Sequence, residues 1–473
     1  MSPLRAPLAA LILLAAATVD VSAQPRRSGK LNVLLIISDD LRTEVGSYGS
    51  PLAKTPNIDA LASAGVRFER AYAQFPLCNP SRVAMLTGRR PGVTGVLGNR
   101  TDFRVAHPNW ITLPQLFKLN GYVTLRTGKV FHGGIDDAVS WTEGGDPRRP
   151  LAVEAAPGRA GGGRAGAARA RSSDRWVVLE GNGETHGDYA VADRAIKYLQ
   201  DNRHRPFFLA VGFVKPHSPP SAPQRFFDSW KVDDIPLPVD FAPRPTVPAG
   251  FPKAAIRPRN ADLFIGRDAS EREAREMIRA YLASTAWMDW NVGRVVAELD
   301  RLGLRDDTLI VFWGDHGYHL GERGKWSKAG SLFEQGTRTP FIVVAPGATG
   351  NGRSTPRVVQ NLDIYPTLVD LCGLPPPHGL EGRNLVPLLN DPSAAWNHPA
   401  FSVWSEDGTT FHGVAVRTEH WRYAEFGAEG VNGAMLFDER DDPLELKNLA
   451  DDPRLANVRK ELSSLVRSYA RGQ

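Results

Sequence analysis

The sequence predicts an α/β protein built on a large mixed, mainly parallel β-sheet flanked by helices. Short apolar runs rich in Val, Ile, Leu and Phe alternate with helical patterns, which is typical of strands joined by helical crossovers. Residues 31–38 are almost all apolar, as expected of a strand buried on both faces of a sheet. The chain has 473 residues, enough for one large α/β domain with an appendage.

Composition and charge exclude several classes of protein. A hydrophobic fraction of 42% argues against a disordered or fibrous chain, and 2 Cys cannot form a disulfide scaffold. The formal charge of +5 is confined to one Ala, Gly and Arg-rich insertion, residues 148–175, where seven Arg outweigh two acidic residues. The rest of the chain is neutral overall, so nucleic acid is not predicted as a partner.

The amino terminus has the three parts of a secretory signal peptide. Arg5 supplies the positive start, residues 8–18 form an apolar run, and Val21-Ser22-Ala23 offers a small-residue cleavage site. The alternative is a membrane anchor, but the run is shorter than the ~20 residues that a spanning helix needs. We therefore expect residues 1–23 to be removed and the protein to be periplasmic or secreted, with no integral membrane segment in the mature chain.

The carboxy-terminal part of the chain has a different pattern. Short alternating runs at residues 414–418, 421–426 and 434–437 predict a small antiparallel sheet, and residues 453–470 predict a helix. We therefore divide the mature chain into a catalytic domain, residues 24–395, and a carboxy-terminal subdomain, residues 396–473.

Polar residues follow three of the predicted strands. Asp39-Asp40 follows residues 31–38, Lys215-Pro216-His217 follows residues 206–213, and Asp315-His316 follows residues 308–313. The carboxyl ends of parallel strands meet at one edge of a sheet, where open α/β sheets bind their ligands. The sequence therefore predicts a site that gathers His, Lys and Asp from separate segments.

Cys78 lies in the most specific motif of the chain, Cys78-Asn79-Pro80-Ser81-Arg82, which is followed by Thr87-Gly88-Arg89. Pro80 is well placed to open a helix, so we expect Cys78 at a helix amino terminus, where the dipole and free N–H groups favour negative charge. Arg82 can then balance a developing oxyanion. The alternative is an ordinary buried Cys that only packs.

These two motifs resemble the signature of the sulfatase family, C-x-P-S-R followed by T-G-R. The resemblance implies an alkaline-phosphatase-like fold and conversion of Cys78 to formylglycine (3-oxoalanine) by a maturation enzyme. The hydrate of that aldehyde would be the nucleophile. Gly128-Lys129-Val130-Phe131-His132, Lys215-Pro216-His217 and Asp315-His316-Gly317 are similar to the iduronate-2-sulfatase branch of the family.

The resemblance also implies a metal site. By themselves, Asp39 and Asp40 could equally be helix caps, but hard divalent cations need oxygen ligands from several segments, and Asp315 supplies a further carboxylate. By resemblance, one calcium ion would be bound by Asp39, Asp40, Cys78 after its modification, Asp315 and His316. Most sulfatases carry Asn at the position of His316, and imidazole is a softer ligand, so manganese or another divalent metal stays open.

The remaining site residues receive roles from the chemistry of sulfate ester cleavage. Lys129 and Lys328 would bind sulfate oxygens, and His217 would protonate the leaving group, a role that Lys328 could share. His132 would take the proton from the second hydroxyl of the hydrate.

The sequence thus predicts an exported sulfatase that acts on a sulfated oligo- or polysaccharide, with iduronate 2-sulfate units of glycosaminoglycans as the first substrate. Two alternatives remain. One is a phosphonate or phosphodiester hydrolase, since phosphorus and sulfur centres share their geometry. The other is a catalytically silent polysaccharide-binding relative.

Overall fold

The computed structural model describes residues 29–146 and 174–472. The predicted signal peptide and nearly all of the Arg-rich insertion lie outside these residues. Within the two described ranges, none of the helices combines the length and apolar composition needed to cross a membrane.

Strands and helices occur throughout both described ranges. The strands are β1 Asn32–Asp39, β2 Val66–Tyr72, β3 Val123–Gly128, β4 Val177–Leu179, β5 Phe207–Pro216, β6 Ser221–Pro223, β7 Thr308–Gly314, β8 Arg338–Val344, β9 Ser354–Gln360, β10 Ala400–Trp404, β11 Gly413–Arg417, β12 Trp421–Phe426 and β13 Ala434–Asp438. The helices are α1 Pro56–Ala64, α2 Cys78–Thr87, α3 Pro91–Thr94, α4 Phe103–Ala106, α5 Leu113–Leu119, α6 Gly187–Asn202, α7 Gln224–Phe227, α8 Glu271–Arg301, α9 Glu334–Thr337, α10 Ile364–Leu371, α11 Val386–Asn390 and α12 Ala456–Arg471.

The main sheet has seven strands in the order β3-β5-β1-β7-β8-β2-β9. Strands β3, β5, β1 and β7 are parallel, and Leu35 in β1 lies between Ala210 of β5 and Val311 of β7. Strand β8 is antiparallel to both of its neighbours, β7 and β2, while β9 is parallel to β2. The predicted mixed, mainly parallel sheet is confirmed.

Both faces of the sheet are covered, and β1 shows why its sequence is apolar throughout. Val33, Leu35 and Ile37 pack into the hydrophobic core that α2, α5, α10 and α11 share on one face. Leu34 and Ile36 pack into the core that α1, α6 and α8 share on the other. Because successive side chains of a strand point to opposite faces, a strand between two helical layers carries no polar side.

The carboxy-terminal sheet is antiparallel, in the order β10-β11-β12-β13, and α12 packs on it through Leu462 and Val466. The small sheet and helix predicted from the sequence are thereby confirmed. Their core also contains Phe251 and Phe333 from the preceding part of the chain, so the subdomain is packed against the larger one. The boundary between residues 395 and 396 stays a prediction.

Candidate active site

The polar ends of β1 and β7 meet at the carboxyl edge of the main sheet, as the sequence predicts. Asp40 adopts a left-handed backbone with φ of 63°, which Asp tolerates better than most residues. This turn brings its N–H to within 3.1 Å of Asp315 Oδ1, which also accepts from the N–H of His316 at 3.0 Å. Asp40 and Asp315 are fully buried, so the two strand ends form one floor beneath the site.

A pair of glycines brings Lys129 to the same edge. A Cβ on Gly128 would lie 2.1 Å from the carbonyl oxygen of Gly212, and a Cβ on Gly212 would lie 2.0 Å from that of Lys129. Without side chains, β3 and β5 approach closely enough for the Lys129 N–H to donate to Gly212 at 2.8 Å. The Lys129 ammonium then donates to Asp39 Oδ2.

Cys78 is the first residue of α2, at the helix amino terminus that the sequence predicts. Its Sγ lies 3.3 Å from Asp39 Oδ1 and 3.4 Å from His316 Nε2. Burial, and after it the Asp39 carboxylate, raise the pKa of this thiol well above its ordinary value. The encoded side chain is therefore a protonated thiol at neutral pH.

Four residues form a group with the composition of a cation site: Asp39, Asp40, Cys78 and His316 each offer one ligand atom, all within 4.8 Å of one another. His316 Nδ1 lies 3.0 Å from the carbonyl oxygen of Gly317, which fixes the proton on Nδ1 and turns the free Nε2 towards Asp40 Oδ1, at 3.5 Å. Two carboxylates and a lone-pair nitrogen are donors that fit a divalent cation. Asp315 stands beside this group, with Oδ2 at 3.6 Å from His316 Nε2.

Arg82 is fully buried and holds the acidic residues from behind. Its Nε lies 2.9 Å from Asp315 Oδ2 and its Nη2 lies 3.4 Å from Asp39 Oδ1, while Nη1 donates to the carbonyls of Lys129 and Val130. Burial alone would raise the pKa of Asp39, but Lys129 and Arg82 outweigh it and hold that pKa well below its usual value. The guanidinium thus orients the carboxylates, and its role in balancing a developing oxyanion stays a prediction.

Lys328 approaches the site from the opposite side. Its ammonium lies 2.9 Å from Asp40 and 3.4 Å from Asp262, and only 4% of the side chain is exposed. Burial would lower the pKa of Lys328, but Asp262 and Asp40 raise it well above its ordinary value. Lys129 and Lys328 therefore both bring fixed positive charge to the cleft.

The two predicted catalytic histidines differ in environment. His217 Nδ1 lies 2.8 Å from the carbonyl oxygen of Ser218, so its Nε2 is the nitrogen that faces the site, 3.8 Å from Asp40 Oδ2. Burial, and after it the Lys129 charge, lower the pKa of His132 to about 3. His132 is therefore neutral at physiological pH.

Several residues that support the site were not predicted from the sequence. Asp188, at the start of α6, accepts from the N–H groups of Val214 and Lys215 and so fixes the end of β5. Tyr281 in α8 donates to the carbonyl of Asp40 at 2.8 Å, and Ser81 donates to that of Asp315. Ser81 belongs to the Cys78 motif and could have been found there, whereas Asp188 and Tyr281 carry no local signal.

Comparisons with known proteins agree with this geometry. The sulfatase family model matches residues 31–374, and a model described as N-sulphoglucosamine sulphohydrolase, C-terminal, matches residues 321–471. The chain is 36% identical to iduronate 2-sulfatase of Homo sapiens and 33% identical to that of Mus musculus, each over 89% of this chain and 91% of the relative.

The fold recurs in solved structures. The crystal structure of the phosphonate monoester hydrolase of Agrobacterium radiobacter superposes with a TM-score of 0.72 at 23% identity, covering 93% of this chain and 95% of the other. That identity supports the alkaline-phosphatase-like fold alone. The family model and the iduronate 2-sulfatases show more: the chain belongs to the sulfatase family, in the branch that includes iduronate 2-sulfatase, and is a sulfuric ester hydrolase.

Proposed function

We propose that this protein is an exported, calcium-dependent sulfatase that removes sulfate esters from a sulfated carbohydrate through formylglycine made from Cys78. The observation that carries the proposal is the position of Cys78 Sγ, at a helix amino terminus between Asp39 and His316. The iduronate 2-sulfate units of glycosaminoglycans are the first substrate that we propose, because two relatives over most of the chain are iduronate 2-sulfatases.

The side chains around Cys78 have separate roles in the proposed reaction. The hydrated aldehyde would supply two hydroxyl groups, one to attack sulfur and one whose deprotonation would release sulfate. A divalent cation at Asp39, Asp40 and His316 would add positive charge beside that nucleophile. Lys129 and Lys328 bind the sulfate oxygens, so the charge that develops on these oxygens is stabilised by two ammonium groups that Asp39 and Asp40 hold in place.

The histidines move the protons. His217 Nε2 protonates the leaving alkoxide, since its Nδ1 is held by the Ser218 carbonyl and its side chain is 27% exposed. His132 is neutral because of its lowered pKa, and it takes the proton of the second hydroxyl. Arg82 keeps Asp39 and Asp315 in place throughout.

The choice between a sulfatase and a phosphonate hydrolase is tested on a single leaving group. We expect kcat/KM for 4-nitrophenyl sulfate to exceed that for the matching 4-nitrophenyl phenylphosphonate by about 100-fold. The fixed charges of one site suit one of the two transition states better, and the iduronate 2-sulfatase relatives favour the sulfate. Protein produced together with a formylglycine-generating enzyme is the material to assay. Faster turnover of the phosphonate would support the rival enzyme, and no turnover of either ester would support the silent binding protein.

His217→Ala is expected to lower kcat/KM for a sugar sulfate by about 10²–10⁴-fold, because the alkoxide leaving group needs an acid. The loss on 4-nitrophenyl sulfate should be much smaller, since nitrophenolate leaves without a proton. His420→Ala, at an exposed position, is the matched control. Equal losses on the two substrates would show that His217 is not the acid.

A further inference from the structure

The loop that carries Lys328 contains buried polar side chains that the proposed reaction does not use. His319 Nε2 forms a hydrogen bond of 2.6 Å with Ser331 Oγ, whereas its Nδ1 has no hydrogen-bond partner among the described residues and lies 3.7 Å from Glu322 Oε2. Glu322 Oε1 in turn accepts from Arg42 Nη1 at 2.6 Å. His319 and Ser331 are fully buried, and Glu322 is 7% exposed.

The hydrogen bond between His319 and Ser331 closes the loop that carries Lys328. Residues 318–331 leave the end of β7 just after the metal group, and the turn at their far end is closed by the Ser331 N–H, which donates to the Lys328 carbonyl at 3.1 Å. His319, at the near end of the loop, reaches across to Ser331. One imidazole therefore joins the two ends of the segment that presents the Lys328 ammonium.

Asp40, which contacts the Lys328 ammonium, is also connected to this loop. Arg42 follows Asp40 by two residues and bonds both to Glu322 and, at 3.4 Å, to the carbonyl of Tyr318. Asp40 and Lys328, whose side chains meet at 2.9 Å, are thus each held near their own backbone, Lys328 by the Ser331 N–H and Asp40 by the bonds of Arg42.

Ser331, His319 and Glu322 are the residue types of a serine nucleophile with its base and orienting acid. Burial excludes that function here, because Ser331 has no exposed surface for an ester to reach. Its Oγ also accepts from the Phe333 N–H at 3.4 Å. His319 and Ser331 therefore connect the two ends of the loop and do not form a catalytic group.

We propose that His319 is a positioning residue for sulfate ester cleavage, which sets the Lys328 ammonium against Asp40 and towards the sulfate. The inference rests on the proposed function, in which Lys328 binds sulfate oxygens. A lysine side chain has four rotatable bonds, so its placement depends on how firmly its own backbone is held. Displacement of a catalytic group by about 1 Å can cost about 100-fold in rate.

The test is a double-mutant cycle between His319 and Lys328 on the mature enzyme with 4-nitrophenyl sulfate. We expect His319→Ala to lower kcat/KM by about 10-fold to 100-fold in the wild-type background and by less than about 2-fold in a Lys328→Ala background. His319→Gln should restore most of the loss, because its amide nitrogen can replace Nε2 against Ser331. His107→Ala, which removes a ring stacked on Trp110 at 3.5 Å, is the control.

The possible results separate this inference from the proposed function. An active wild-type enzyme with equal losses from His319→Ala in both backgrounds would overturn the positioning role alone. An inactive mature wild-type enzyme would overturn the proposed function, and the inference with it. If His319→Ala does not fold, Ser331→Ala removes only a hydroxyl and enters the same cycle, where an effect that is independent of Lys328 again overturns the inference.

Discussion

Cys78→Ala is expected to abolish turnover of sulfate esters, with a loss of about 10⁴-fold or more in kcat, while the protein remains folded. The substitution removes the thiol group from which the aldehyde would be made, so no hydrate hydroxyl is available to attack sulfur. It leaves α2 intact, since Ala is a good helix residue and the Cys78 thiol contributes only buried contacts to Asp39 and His316. Turnover of 4-nitrophenyl sulfate and thermal unfolding of the same sample are the measurements.

The other cysteine of the chain provides the matched control. Cys372 is half-buried at the end of α10, where it packs against the hydrophobic core, so Cys372→Ala should keep full turnover. Peptide mass measurement across residue 78 of the active wild-type enzyme should show the aldehyde in place of the thiol. An active enzyme in which residue 78 is still a thiol would contradict the formylglycine proposal.

Removal of the divalent cation is expected to lower turnover by more than about 10³-fold, since a cation beside developing charge contributes several kcal/mol to the transition state. The folded state should lose stability as well, because Asp39 and Asp40 are fully buried and a bound cation neutralises them. At a concentration of 100 Kd the cation stabilises the native state by about 2.7 kcal/mol. Dialysis against a chelator, followed by calcium or manganese, is read out by turnover and thermal unfolding.

We expect His316 to influence which metal restores activity. We expect His316→Asn to keep its activation by calcium and to lose much of any activation by manganese, because an amide oxygen is a harder ligand than imidazole. Asn is smaller than His, so the substitution should not disturb the backbone at Asp315. Turnover that survives complete removal of divalent cations would contradict the metal site.

The sequence was most informative where local pattern and position in the fold coincide. The apolar run of β1 and the polar residues that follow β1, β5 and β7 predicted the parallel part of the sheet and the edge that carries the site. The order Cys78, Pro80 and Arg82 predicted a cysteine at a helix amino terminus. These features depend on neighbours in the chain, which a sequence displays directly.

The tertiary structure alone decided what each charged side chain contacts. Arg82 bonds to Asp315, 233 positions away, and to Asp39, partners that its motif does not indicate. Asp262 and His319 have no motif of their own, and only the tertiary structure places Asp262 at 3.4 Å from the Lys328 ammonium and His319 against Ser331. A buried charge is stabilised by whichever partners surround it in three dimensions, so the sequence named the residues of the site while packing between distant segments determined their partners.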